Sequence, residues 1–297
     1  IWARTVRSPN PANPIEVPLV RSWWLSKKKN SEAYIAPSIE NGVVKFTVIH
    51  SPDGPEGEAD GTIGRKGGYA VGDGTPLPLE YVRKEAQAGR MGAVLIAVVA
   101  EGTRGRIYLS PDQAQIDSAL VDRPKGIQSG EIPKKHRNFQ TPNYGLTEWA
   151  DLFSDRQLLS LDSLCQQIPD LHEQVKLDAL AAGAPLGVAL EDGGDGAHAY
   201  ADAVCVYVAL AISRTSDYCS TVCSWNSSRD TIRNVFSRQA VPMVWDYAES
   251  NPFSDSSGNF MGQIRWVTSA LENVPGRPAG EAQQADASTR DYSNFVV

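Results

Sequence analysis

Cysteine is scarce in this chain and long apolar runs are absent. Four cysteines (Cys165, Cys205, Cys219, Cys223) in 297 residues are too few for a disulfide framework. A reducing compartment, the cytoplasm, is therefore expected. No stretch reaches the roughly 20 apolar residues that span a bilayer. The longest candidate, Ala199 to Ile212, carries Asp202, so no membrane partner is expected. No signal peptide is visible. Histidine is equally sparse (His50, His136, His172, His198), and none stands in a recognisable nucleophile motif. The glycines of GRKGGYAVGDG (64–74) lack the terminal Lys-Ser/Thr and the preceding buried strand of a phosphate-binding loop.

The formal net charge of −7 excludes a uniformly basic nucleic-acid binder. The charge is unevenly spread, however. Residues 1–137 hold 19 basic and 15 acidic side chains, and residues 138–297 hold 9 and 20. Such asymmetry points to modules with different partners. Hydrophobic residues at 41% and charged residues at 21% are ordinary for a globular chain with a sizeable core. Ile1 at the start and the apolar Phe295-Val296-Val297 at the end read as the edges of an internal segment.

Residues 1–8 and 15–27 are rich in β-branched and aromatic residues and predict strands joined by the turn SPNPANP. Asn41-Gly42 between two apolar runs predicts a two-residue hairpin. Residues 51–78 are dense in Gly, Pro and Asp and read as loop, leaving 1–78 as a strand-and-knuckle module with little core. Leu79–Arg90 predicts an amphipathic helix, Met91–Val99 a buried strand and Gly105–Leu109 a second one. Residues 121–142 read as a basic linker. From Thr147 the period turns helical, with Ser154 as an N-cap, a break near Pro169 and continuation to Ala182. Residues 197–225 predict a central buried helix. Short helices are expected at Asp230–Ser237 and Asn259–Asn273, and short strands at Ala282–Ala285 and Phe295–Val297.

Two turns, SPNPAN and AVGDGTP, have the layout of zinc knuckles. Their candidate ligand positions hold Ser8, Asn13, Ala70 and Asp73. A structural zinc site needs four thiolate or imidazole ligands, so no metal is expected there. Cys219 and Cys223 lie four apart, and core packing is the expected role of such small buried thiols. Basic and aromatic residues interleave in RSWWLSKKK (21–29) and recur in RDTIRNVFSR (229–238). On a helix Arg229, Arg233 and Asn234 would share a face, with Arg238 following, and Arg and Asn suit phosphate and adenine contacts. A solvated face is the competing reading; for Lys27-Lys28-Lys29 a solvated turn is expected. Asn251-Pro252-Phe253 invites comparison with the Asn/Asp-Pro-Pro-Tyr/Phe loop that holds a flipped base. It lacks the second proline and no strand is predicted to lead into it, so it is rejected as a catalytic loop.

Longer stretches of text carry more. IWARTV, PLVRSWWLSKKK, GTPLPLEYVR, GRMGAVLIAVVAEG, NYGLTEWADLFSDRQL, NVFSRQAVPMVWDYAESNPFSDSSGN and QADA together resemble the central region of adenine-specific DNA methylases that carry an inserted zinc ribbon, formerly a domain of unknown function. The resemblance covers nearly the whole chain. It implies an α+β fold: a ribbon-like β module (1–78), an α/β element with a basic linker (79–142), a helical region (143–275) and strands of a split Rossmann-like methyltransferase sheet (276–297). It implies S-adenosylmethionine as the cofactor of the parent enzyme, with the principal cofactor motif upstream and the catalytic loop downstream of this segment. Asp286 matches the family's acidic position after a strand, where a carboxylate accepts a hydrogen bond from the cofactor's adenine amine. Double-stranded DNA is the implied partner, with other defence-system proteins, and the isolated segment is expected to be inactive. The family's ribbon cysteines fall at Ser8, Asn13, Ala70 and Asp73, so this ribbon is expected to be metal-free, and either looser or held by strand pairing alone. The rival reading is a non-enzymatic module binding DNA or a protein.

Overall fold

A computed structural model describes residues 1–55, 61–103, 105–236 and 239–274. It shows a mixed α+β chain with several small sheets. The elements run β1 (Trp2–Arg7), β2 (Glu16–Leu19), β3 (Trp24–Ser26), β4 (Ala33–Glu40), β5 (Val43–Ile49), β6 (Ile63–Gly64), β7 (Gly67–Tyr69), β8 (Pro76–Pro78), α1 (Leu79–Gln87), β9 (Gly92–Leu95), β10 (Val98–Gly102), β11 (Gly105–Leu109) and α2 (Gln113–Ser118). The helical part follows as α3 (Asp155–Gln166), α4 (Ile168–Ala181) and α5 (Gly196–Thr215). It ends with β12 (Trp225–Asn226), β13 (Thr231–Ile232), β14 (Asp246–Tyr247) and α6 (Phe260–Glu272).

Strand β1 organises the molecule. On one edge it pairs with β9, from Trp2 opposite Leu95 to Thr5 opposite Gly92. Its other edge is shared: β14 takes Trp2 and Ala3, and β2 takes Arg4 to Arg7. All these pairings are antiparallel. A single strand thus gathers neighbours from the start, the middle and the far end of the chain. Ala3 and Val6 are fully buried, and the core around them includes Val17, Leu19, Leu25, Ile35, Leu77, Val82, Ile96, Tyr108 and Trp245. The expectation that 1–78 would have little core is therefore corrected: the larger core lies here and runs across position 78. Nor is 51–78 simply loop, since β6, β7 and β8 form a small antiparallel sheet.

Several local signals act as their chemistry requires. In β5 the burial alternates, with Val44 and Phe46 inward and Val43 and Lys45 outward, the period of two of a half-buried strand. The β4–β5 turn places Asn41 at φ 51° and Gly42 at φ 76°, the left-handed pair that such a hairpin demands. Ser154 caps α3 in a reciprocal box with Gln157, and Asn259 caps α6 through the Gly262 amide. The α3–α4 break falls at Gln167.

The expected helix over 197–225 is shorter and wetter than predicted. Helix α5 stops at Thr215, whose hydroxyl back-bonds to Ala211, and Tyr200, Val206 and Leu210 are more than half exposed. Among the described helices α5 is long and apolar enough by composition to cross a bilayer; here it packs against α3, α4 and α6. Cys219 and Cys223 lie in turns after it, both buried. Burial pushes the Cys219 thiol up to about 12 and the Cys223 thiol up to about 11, which leaves both protonated and inert. Their core role stands, although their shared helical face does not.

The guanidinium of Arg4 is the buried polar tie across this fold. Its Nε donates to the Val244 carbonyl at 3.0 Å and its Nη2 to Thr221 Oγ1 at 2.8 Å. The cation also lies over the Tyr247 ring, 5.4 Å from its centroid. Arg4→Ala should cost roughly 3 kcal/mol of stability, because charge-assisted bonds are lost and buried acceptors are stranded. Denaturant unfolding of the variant beside Arg4→Lys measures this. A change under about 1 kcal/mol would show that the tie is unimportant.

Candidate nucleic-acid interface

Two basic segments some 200 residues apart meet on one face. The turn after β3 carries Lys27, Lys28 and Lys29, all exposed. It rests on the β12–β13 hairpin, which carries exposed Arg229 and, just beyond, exposed Arg233. The Lys27 amide donates to the Ser227 carbonyl at 2.8 Å, and Trp225 Nε1 donates to the Leu25 carbonyl at 2.6 Å. Beneath the turn lies Asp230, in the left-handed region at φ 53° and almost fully buried. Its carboxylate meets Lys28 Nζ at 3.0 Å. One buried anion thus pins a cluster whose remaining cations face outward.

The face extends in both directions. Arg106 lies over the Trp225 ring at 5.4 Å and shares a depression with Lys28, Lys29 and Glu101. On the other side a groove holds Arg21, Trp24, Lys27 and Arg233. Arg21 also borders the hollow under the β6–β7 turn, where Arg65 and Lys66 are exposed beside Tyr69. The acidic exception inside the groove is Asp246, which accepts the Arg21 amide at 2.7 Å. Desolvation pushes its carboxyl up to about 6, against that hydrogen bond.

Over the described residues 230–236 the expected helix at Asp230–Ser237 is not formed. A positive φ at Asp230 interrupts it, and Thr231–Ile232 pairs as β13 instead. Asp217 then claims the segment that follows: it accepts the Phe236 amide at 2.7 Å and Asn234 Nδ2 at 2.9 Å. Asn234 therefore holds the loop rather than facing outward as an adenine reader. Arg229 and Arg233 reach the same face through a hairpin, not a helix. The lysine turn, expected to be merely solvated, joins them. Arg238 and Asp286 lie outside the described residues, as do the expected strands at Ala282–Ala285 and Phe295–Val297.

The two knuckle-like turns do meet. Ser8 donates its amide to the Ile15 carbonyl, and Ala70 donates its amide to the Thr75 carbonyl. Between the turns, Asn10 Nδ2 donates to Asp73 Oδ2 at 3.0 Å. The Thr75 backbone amide and the side chains of Asn13, Thr75 and Asn10 hold the Asp73 carboxyl well below the usual carboxylate range. Where the family resemblance implies four thiolates, a carboxylate and two carboxamides now link the knuckles. Of the two expectations, a looser ribbon or one held by strand pairing alone, the second is corrected: side-chain hydrogen bonds also join the turns.

Asn251-Pro252-Phe253 forms a turn in which Asn251 Oδ1 accepts the Phe253 amide at 2.9 Å and the Phe253 ring is 78% exposed. The two-residue strand β14 does lead toward it, contrary to expectation, but by way of Ala248 to Ser250 and on an antiparallel sheet.

No family model matches the chain, and neither a curated protein nor a solved structure is significantly similar to it.

Asp73→Ala should uncouple the knuckles and lower the thermal midpoint. Because Asp73 titrates below its unfolded value of about 3.9, its contribution is present above that value and is lost as pH falls through the folded one. The Tm difference between wild type and Asp73→Ala should therefore be visible at pH 7 and shrink below pH ~4. An equal difference at both pH values would assign the effect to packing.

Proposed function

We propose that this chain is a DNA-facing segment of an S-adenosylmethionine-dependent adenine N6-methyltransferase, and that its basic face engages the phosphates of duplex DNA. The observation that carries the DNA part is the convergence of Lys27–Lys29 with Arg229 and Arg233 on one surface. A chain with net charge −7 that still assembles such a face has a local, not a global, attraction for polyanions. Backbone contacts of this kind position a duplex without reading its sequence. Base specificity, the flipped adenine and the methyl donor would be handled by the rest of the enzyme.

The cofactor part rests on the family resemblance and on Asp286. In this reading residues 1–78 are a degenerate ribbon, the helices are the scaffold, and the C-terminal strands belong to a Rossmann-like sheet. The enzyme would act in the cytoplasm, with other defence-system proteins as partners. The rival is a non-enzymatic DNA-binding module. It is favoured by the antiparallel pairing of every named strand pair among the described residues, because cofactor clefts of open α/β sheets lie at parallel strand ends.

Fluorescence anisotropy with a labelled duplex over a range of salt concentrations tests the DNA contact. Affinity should fall with salt, and Lys27→Ala, Arg229→Ala and Arg233→Ala should each reduce the log–log salt slope by about 1. Slopes unchanged in all three variants would remove this face from the interface. Titrating S-adenosylmethionine into the full-length parent enzyme and its Asp286→Ala variant separates the two readings. Weaker binding in the variant supports the methyltransferase, and absence of binding to either supports the module.

A further inference from the structure

Helices α4 and α5 bring together three side chains that the DNA-binding face does not use. His198 and Asp202 are four residues apart and so project from one face of α5. His172 sits in the second turn of α4 and points at them. Its Nε2 lies 2.8 Å from Asp202 Oδ1, and the two imidazole rings stand 5.5 Å apart, edge to face. One potential ligand atom from each of the three lies within 4.8 Å of the others. All three are half-buried, with a path to solvent.

The carboxylate is held from behind. Asp202 Oδ2 accepts the Leu190 amide at 2.9 Å. That amide belongs to a loop seated tightly on the start of α5: a Cβ at Gly187 would fall 1.7 Å from the Asp195 carbonyl oxygen, so the approach requires glycine. Metal-binding side chains are commonly oriented by such outer hydrogen bonds. A single histidine would suffice for a His–Asp tie between two helices. The second imidazole, with a ring nitrogen within 4.8 Å of the ligand atoms of both, is surplus to that task and completes a three-ligand set.

We propose that His172, His198 and Asp202 bind one divalent transition-metal ion that staples α4 to α5. Two imidazoles and a carboxylate suit zinc or cobalt(II) rather than calcium or magnesium, whose sites are built from oxygen. Tetrahedral zinc would take the three side chains and leave its fourth position to water. The site is separate from the knuckle turns at Ser8, Asn13, Ala70 and Asp73, where no imidazole or thiolate stands.

Titration of zinc chloride into the tag-free, EDTA-dialysed chain tests this by calorimetry, alongside the visible spectrum of the cobalt(II) form. Wild type should bind one ion and melt at higher temperature in its presence. The cobalt spectrum should show tetrahedral d–d bands without a thiolate charge-transfer band. His198→Ala and Asp202→Asn should each weaken binding by at least the roughly 10- to 100-fold that loss of an outer-shell partner costs. Circular dichroism establishes folding, and if His198→Ala fails to fold, the isosteric Asp202→Asn decides. No saturable binding, binding undiminished in a folded variant, or a cobalt–thiolate band would overturn the proposal, the last by shifting the ion to a cysteine such as exposed Cys165.

Discussion

The architecture depends on what a single strand must satisfy. β1 exposes hydrogen-bonding edges on both sides, and burying it obliges each edge to find a partner. β9 fills one edge, and β2 and β14 divide the other. Arg4 extends the same logic to a side chain. A buried guanidinium needs several acceptors, and it finds them at Thr221 and Val244, more than 200 positions away. A further cation, Arg156, lies over the Trp2 ring at 4.1 Å while making a two-pronged pair with Glu249. The helical region is thereby fixed to the first strand, and the hairpin that carries Arg229 and Arg233 is fixed with it.

That constraint positions the basic face. Trp225 packs edge-on to buried Tyr108 and bonds to the β3 backbone, so the β12–β13 hairpin has little freedom to leave the lysine turn. Asp230 adds an electrostatic pin beneath it. Lys27, Lys29, Arg229 and Arg233 around it are exposed. A local positive surface on an acidic chain follows from where the anions are placed: Asp230 is drawn inward, and the larger acidic excess belongs to the second half of the sequence. The knuckle turns show a related economy. Hydrogen bonds to Asp73 join two turns without requiring thiolates, at the expense of sensitivity to acid.

Local rules were legible wherever the chemistry is confined to neighbours in sequence. The Asn41-Gly42 turn, the Ser154 cap and the helix beginning at Asn259 each rest on contacts within a few residues, and each appears where it is expected. Reading failed where a distant group intervenes. RDTIRNVF has a helical spacing of charges, yet Asp217 captures the amide of Phe236 and the carboxamide of Asn234 and holds an open loop. The glycine-rich stretch before Pro76 lacks apolar periodicity, so its two short strands, β6 and β7, gave no signal. His172 and His198 looked isolated because their partnership crosses a helix–loop–helix turn.

The sequence by itself determined the Asn41-Gly42 turn, the Ser154 cap, the mixed α+β class and the core role of Cys219 and Cys223. These follow from residue chemistry and short-range sterics. Tertiary structure alone decided that two basic segments share a face, that Asn234 serves a loop rather than a partner, and that two histidines meet an aspartate. Each depends on contacts between separate parts of the chain, and a pairing between residues 17 to 240 positions apart leaves no periodicity to read.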